Sequence, residues 1–376
     1  MKKIPKKIVE TGRRIKISAP DHFDEDFKAD IQDSIDILTF ENDYLKSYSK
    51  LRKTLAKKDL TVFDIPPLYF LIPIYAKSLA PSMHVYMLND KSRNESFYKA
   101  ISKCLKRSKS KRILDIGSGS GILSMMCSSL AADVESIVAV EVNEFVSDLC
   151  SLNLRENDLS KKIKLFNKKS HKLEKEIDFD NRFDLLVCEV IADNIISEGM
   201  INTINHAHRE LLKENSEVIP KRSRLYGVLV EDYHLKDQSH FPDTVCGFSM
   251  KGMKSILNDQ ITYPDEYFVH SLQNTKFLSD SFEIFEFDFT KMIDPEGESR
   301  HDVNINISGE VHGILLYFEL DVDDDITIKS LDETSCWIPK FIPLYGSRKA
   351  DANSTVSLSC SYKSGLPWIN IDWHDN

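Results

Sequence analysis

From Arg112 onward, apolar residues gather in short unbroken runs, RILDIG, SIVAVEV, KIKLF and FDLLVCEV. Between them, Gly121 to Leu130 and Asn143 to Leu154 carry apolar residues at helical spacing. A strand that is apolar on both faces must be covered on both faces, as parallel strands are in α/β domains. The spacing therefore predicts a doubly wound α/β domain over residues 76–220, with a further helix over Ile201 to Lys213 and a boundary at Pro220. Beyond Pro220 the pattern changes to period two, in RLYGVLVED, SFEIFEFDF, GILLYFELDV, VSLSCSY and WINIDW. That alternation, broken by Gly, Pro, Asp and Asn, predicts an all-β barrel or sandwich over 221–376. Upstream, Ile31, Ile35, Leu38, Leu45, Leu51 and Leu55 predict one or two surface helices within an extension over 1–75. Pro66, Pro67, Pro73 and Pro81 punctuate the link that follows.

A chain of 376 residues suits two such domains better than one core. Its 49 Lys and Arg against 59 Asp and Glu give a net charge of −10, which disfavours a general nucleic-acid binder and suits a cationic ligand. The seven cysteines are scattered, odd in number and without a C-x-x-C pair, so neither a disulfide framework nor a zinc site is expected. Asp321, Asp323 and Asp325 imitate the start of a calcium loop, but Ile326 replaces the needed glycine and Asp332 the bidentate glutamate. A hairpin turn is expected there, and no metal. The apolar stretch Tyr69 to Ala80 is too short to span a bilayer. A solvated basic tail at MKKIPKKIVETGRRIK and a cytoplasmic or nuclear location complete these expectations.

Leu114-Asp115-Ile116-Gly117-Ser118-Gly119-Ser120-Gly121 follows one predicted strand and opens a helix, so backbone amides line a tight turn at the carboxyl edge of the sheet, where open α/β folds bind ligands. The dinucleotide fingerprint would need glycine at Ile122, which disfavours a nicotinamide cofactor. Glu141 ends the next strand, where an acid can accept both hydrogen bonds of a ribose diol. Asp115, Gly117, Gly119, Gly121 and Glu141 are therefore the candidate nucleotide site.

ILDIGSGSGILSMM followed by VAVEVN resembles motif I and post I of class I S-adenosylmethionine methyltransferases, which have a Rossmann-like fold. Within that group the chain is similar to the protein arginine methyltransferases, in the branch of their seventh and ninth human members. The resemblance implies S-adenosylmethionine as cofactor, with Glu141 on its ribose, Gly117–Gly121 beside its methionine portion and Ser170 near its adenine. The segment MHVYMLNDKSRNESFYKAI resembles the family's cover over the cofactor, which assigns Arg93 to the cofactor carboxylate, Met87 to the reacting centre and His84 to the neighbourhood of the acids.

Guanidinium is planar, permanently charged and best gripped by carboxylates. Glu189 and Glu198 resemble the family's paired-glutamate loop and converge if VIADNIIS folds back like a hairpin. Ser335-Cys336-Trp337 stands where most members carry Thr-His-Trp, with Trp337 a candidate wall of the arginine channel. The stretch 233–245, with His240, Phe241 and Pro242, falls at the family's dimerisation arm and implies a homodimer. The implied reaction is methyl transfer to the guanidinium of arginine in proteins. Cys336 favours symmetric dimethylation, with monomethylation next. Ala192, Asp193 and Ser197 depart from the branch pattern, and with Cys336 they leave a non-catalytic scaffold or regulatory partner as the alternative, while Met200 is more like the asymmetric dimethylating members. A small-molecule methyltransferase would leave the barrel segment and the paired acids unexplained.

Overall fold

The computed structural model describes residues 23–79, 83–108, 111–131, 133–239, 242–252, 272–332, 334–364 and 369–374. The basic tail and two residues of the arm, His240 and Phe241, lie outside the described residues.

The extension begins with α1 (Glu25–Asp36) and α2 (Tyr44–Ala56), each started by an aspartate, Asp24 or Asp43, whose side chain accepts a backbone N–H of the first turn. Their apolar faces close a core of their own, where Ile31, Ile35, Leu51 and Leu55 meet Tyr75 of α3 (Ile72–Leu79). Pro73 falls in the first turn of α3, where its missing N–H costs nothing. Two further helices, α4 (Met83–Asn89) and α5 (Lys91–Arg107), lead into the sheet. Among the described residues no helix is long and apolar enough to cross a membrane.

The expected α/β alternation is present as β1 (Arg112–Ile116), α6 (Ile122–Leu130), β2 (Ser136–Val140), α7 (Glu144–Glu156), β3 (Ile163–Phe166), β4 (Phe183–Cys188), α8 (Met200–His206) and β5 (Leu212–Ile219). The five strands are parallel in the order β3-β2-β1-β4-β5. The order in which strands are added reverses between β1 and β4, which opens a crevice at their carboxyl ends. The helix expected to run to Lys213 stops earlier: a π-turn over Ala207–Leu211 ends it, and β5 follows. This strand is at the sheet edge and buries chiefly Leu212, Val218 and Ile219, so its polar middle hid it from the apolar pattern.

After Pro220 come β6 (Arg222–Glu231), α9 (Tyr233–Ser239), β7 (Thr244–Val245), β8 (Phe248–Ser249), β9 (Lys276–Phe277), β10 (Phe282–Asp288), β11 (Glu296–Asn304), β12 (Gly309–Asp323), β13 (Ile326–Lys329), β14 (Lys340–Ala350), β15 (Thr355–Lys363) and β16 (Ile369–His374). Antiparallel pairing joins β10, β6, β12 and β13, with β14 on β12 and β9 on β6, and a second sheet runs β11-β15-β16. This is the expected barrel-like half. The aspartates at 321–325 close the β12–β13 hairpin, Asp321 pairing with Arg222 and Arg224 and Asp325 with Lys103. One continuous core joins the parallel sheet to the barrel, from Leu114 and Leu186 to Leu225, Phe318 and Trp337.

Candidate active site

A cavity of about 620 Å³ opens at the carboxyl ends of β1 and β4, within the range of small-molecule and cofactor sites. Its walls come from five segments of the chain: the α4–α5 cover, the glycine loop, the end of β2 with the start of α7, the loop after β4 and the loop before β14.

The glycine loop forms one end. Gly117 has φ +77°, and a Cβ there would lie 2.5 Å from Val190, so only glycine lets β1 end this close to the loop after β4. A Cβ on Gly119 would come within 3.2 Å of the His84 ring, so His84 lies over this turn as part of the cavity wall. Glu141 is held by backbone on both oxygens: the Gly119 N–H donates to Oε2 at 3.0 Å and the Asn143 N–H to Oε1 at 2.8 Å. Each oxygen keeps acceptor capacity toward the cavity, which is what a ribose diol requires.

The extension reaches this end too. Tyr48 Oη and Arg52 Nε donate to Asp148 on α7, at 2.6 and 2.9 Å. Arg52 also donates to Asn167, which in turn donates to the Glu141 carbonyl, and Asn143 donates to the Leu79 carbonyl. The helices of the extension thus buttress the loop that carries Glu141. Nothing in their own sequence announced this.

The other end carries the acids. After Glu189 the chain turns back on itself, Ala192 bridging antiparallel to Ile195, which has φ +74°. The hairpin-like return brings Glu189 and Glu198 to the same cavity. Glu189 is buried at 8% exposure, and loss of hydration pushes its carboxyl up to about 7 against the opposing pull of Arg93. Glu198 stands at the open side of the cavity; the protein around it, then Asp193 and Glu141, raise its carboxyl above the usual range.

Arg93, 2% exposed, donates from Nη2 to Glu189 Oε2 at 2.8 Å, while its Nε is buried without a hydrogen-bond partner. Its guanidinium also lies against the rings of Phe97 and Trp337. One buried cation therefore ties the cover segment to the acid loop within the cavity that the glycine loop also lines. The Trp337 indole N–H donates to the Ile191 carbonyl at 2.9 Å, and the Ile338 N–H to Asp193 Oδ1 at 2.8 Å, so the two loops are sewn to each other. Asp90 caps α5 through the Arg93 N–H and accepts the Cys336 N–H at 3.0 Å. Asp90 had not been singled out in the sequence, and its second bond joins residues more than two hundred positions apart.

Of the residues expected here, Met87, Arg93, Gly117, Gly119, Glu141, Glu189, Glu198 and Trp337 line the cavity. Four of the expected residues do not line the cavity. Asp115 is fully buried beneath the loop, where it accepts the Ser124 hydroxyl at 2.6 Å and burial pushes its carboxyl up to about 7; it ties β1 to α6. Gly121 starts α6 and packs on Cys150. Ser170 begins a short turn (Ser170–Lys172) beyond Asn167, outside the cavity lining. Cys336 is buried behind Trp337, where loss of hydration pushes its thiol up.

Residues 98–219 match the family model described as ribosomal protein L11 methyltransferase (PrmA), and residues 221–335 match the arginine methyltransferase oligomerization subdomain. Protein arginine N-methyltransferase 7 of Oryza sativa subsp. japonica is 31% identical over 266 residues, covering 65% of this chain and 36% of that protein. The chain is a relative of the protein arginine methyltransferases. It spans about a third of the length of these first arginine methyltransferase relatives, as with the Drosophila willistoni protein, 31% identical over 64% of this chain and 37% of that one. A relative named arginine N(omega)-methyltransferase, from Streptomyces achromogenes subsp. streptozoticus, is 26% identical over 87% of this chain and 90% of its own length. The fold is shared with a chain of the Trypanosoma brucei PRMT1 enzyme-prozyme heterotetrameric complex with AdoHcy, at TM-score 0.65 and 16% identity over 78% of this chain and 94% of that one.

Proposed function

We propose that the chain is an S-adenosylmethionine-dependent arginine N-methyltransferase. The observation that carries this reading is the single cavity with Glu141 and the glycine loop at one end, Glu189 and Glu198 at the other, and Arg93 between them. Glu141 would hold the ribose and Arg93 the cofactor carboxylate, for which its unpartnered Nε gives it a donor in reserve. When bound, the cofactor supplies an electrophilic methyl group on sulfur. Glu189 and Glu198 would grip the guanidinium, aim one nitrogen lone pair at that methyl and offset charge as the N–C bond forms, the S–C bond breaks and one N–H proton departs. His84 and Met87 border the reacting space.

Two substrates share this chemistry. Arginine within a protein is what the seventh-member relatives' names suggest. Arginine as an amino acid is what the name of the relative matched along nearly its whole length suggests. That relative also aligns through the barrel half, so the barrel does not by itself argue for a protein substrate. Within the protein reading, the Ser335-Cys336-Trp337 loop favours symmetric dimethylation. Mass spectrometry after incubation with labelled S-adenosylmethionine, an arginine-rich peptide and L-arginine should show label on guanidinium nitrogen and count the methyl groups. Label on neither compound, from a protein that binds S-adenosylhomocysteine, would favour the scaffold alternative.

For assembly we propose a homodimer through the 233–245 region, supported by Tyr233, Val245 and Phe248, all exposed, Phe248 at 71%. Light scattering of the intact protein and of a deletion across that region tests it. A reducing cytoplasmic or nuclear setting fits seven cysteines with no disulfide among them.

A further inference from the structure

The cavity holds one charged pair that the guanidinium chemistry does not use. Lys340, at the start of β14, is 4% exposed, and its Nζ lies 3.4 Å from Asp193 Oδ2. Both side chains line the same cavity as Glu189 and Glu198. Asp193 is held in place from its other oxygen by the Ile338 N–H at 2.8 Å.

Position along the loop separates the two pairs. Glu189 and Glu198 stand at the base of the return, whereas Asp193 sits at its tip, between the bridged Ala192 and Ile195. An elongated ligand with its guanidinium at the base shares the cavity with Asp193 and Lys340, which are in place to meet its other end. Enclosing an ammonium and a carboxylate forfeits hydration that their attraction returns only in part, so an apolar pair would be the cheaper lining for an aliphatic stem. A couple of opposite charges complements a ligand end that carries both charges itself. The main chain of a peptide-linked arginine is neutral there, whereas an amino acid offers an ammonium to Asp193 and a carboxylate to Lys340.

We infer that Asp193 and Lys340 form a subsite for the α-ammonium and α-carboxylate of arginine, making the amino acid rather than a peptide segment the preferred substrate. This rests on the reading of Glu189 and Glu198 as the guanidinium clamp.

Calorimetry on the full chain saturated with S-adenosylhomocysteine tests it, with three ligands that share the guanidinium: L-arginine, agmatine, which lacks the carboxylate, and Nα-acetyl-L-arginine, which lacks the ammonium. L-arginine should bind at least tenfold more tightly than either. Lys340→Met should remove most of the advantage over agmatine while leaving agmatine's own affinity within about twofold. Should Lys340→Met fail to fold, the three-ligand ranking on wild type still decides. Agmatine binding within twofold of L-arginine, equal weakening of both by Lys340→Met, or an arginine peptide binding as well as L-arginine would overturn the inference, as would no binding of L-arginine at all. Methyl transfer measured in parallel separates the two readings. Selective L-arginine binding without transfer to any guanidine would sink the methyltransferase assignment and leave the subsite standing, whereas transfer to peptide as readily as to L-arginine would do the reverse.

Discussion

Glu141 and Glu189 each follow the last residue of a strand in one parallel sheet, and each faces the same cavity, yet they are held by different means. The two backbone N–H groups that hold Glu141 belong to Gly119 and Asn143, both inside the α/β half. Glu189 is held by Arg93 from the cover segment, and its loop is sewn to the barrel through Trp337 and Ile338. The first acid takes its side-chain bonds without help from the barrel, while the second depends on the two halves being docked. Cofactor affinity and substrate turnover should accordingly respond to different changes.

The largest separation is expected from Glu189→Gln. Truncating one member of a buried charged pair costs about 2–5 kcal/mol, so turnover should fall on the order of 30-fold or more. The melting temperature should fall as well, since Arg93 is left buried without its counter-charge. Turnover within about twofold of an active wild type would remove Glu189 from the clamp.

Glu141→Ala breaks the other end. Loss of charge-assisted hydrogen bonds worth about 1.5–3 kcal/mol should weaken S-adenosylhomocysteine binding roughly tenfold or more, measured by calorimetry. Equal affinity in wild type and mutant would detach this acid from the cofactor and erase the contrast between the two ends.

Acidity should weaken the substrate end. The carboxyl of Glu189 is pushed up to about 7 by burial and that of Glu198 is raised too. Both must be ionised to grip a cation, so kcat/KM should fall as pH drops through about 7, by roughly tenfold per unit below it. A profile flat from pH 8 to pH 6 would mean that neither acid holds the guanidinium in its charged form.

Glu198→Gln should act less than Glu189→Gln, because Glu198 stands open to water and its charge is partly screened; a loss of about tenfold is expected. An effect larger than that of Glu189→Gln would reverse the assignment of the tighter contact. Trp337→Phe sharpens the comparison most gently: it removes the bond to the Ile191 carbonyl, worth about 0.5–1.5 kcal/mol. Turnover should drop a few-fold while S-adenosylhomocysteine affinity stays unchanged. Equal losses in both would show that the barrel supports the whole cavity.

How much of this was legible follows from where each contact's partners lie in the chain. The parallel strands, the glycine turn and Glu141 were readable because their pattern and most of their bonds fall within one strand-turn-helix unit. The strands β5, β11, β13 and β14 were not, because edge or polar strands such as LKENSEVI and EGESRHDVN bury too little to show a period. Asp115 and Ser170 were placed by motif position alone, and that position does not say which way a side chain faces. The extension's hold on Glu141, through Arg52 and Asn167, had no local signal.

The sequence by itself determined two halves of different architecture, a nucleotide crevice at the end of the first strand, and the pair of glutamates that suits a guanidinium. Local hydrogen bonding and the periodicity of burial are properties of neighbouring residues, and neighbours are what a sequence displays. Only the tertiary structure decided that Arg93 reaches Glu189, that Asp90 joins the cover to Cys336, and that Lys340 comes to Asp193. Each of those contacts joins residues far apart in the chain, the first through the packing of the cover helix on the sheet and the other two through the docking of the barrel, and burial then multiplies the strength of charges that on a surface would be screened by water.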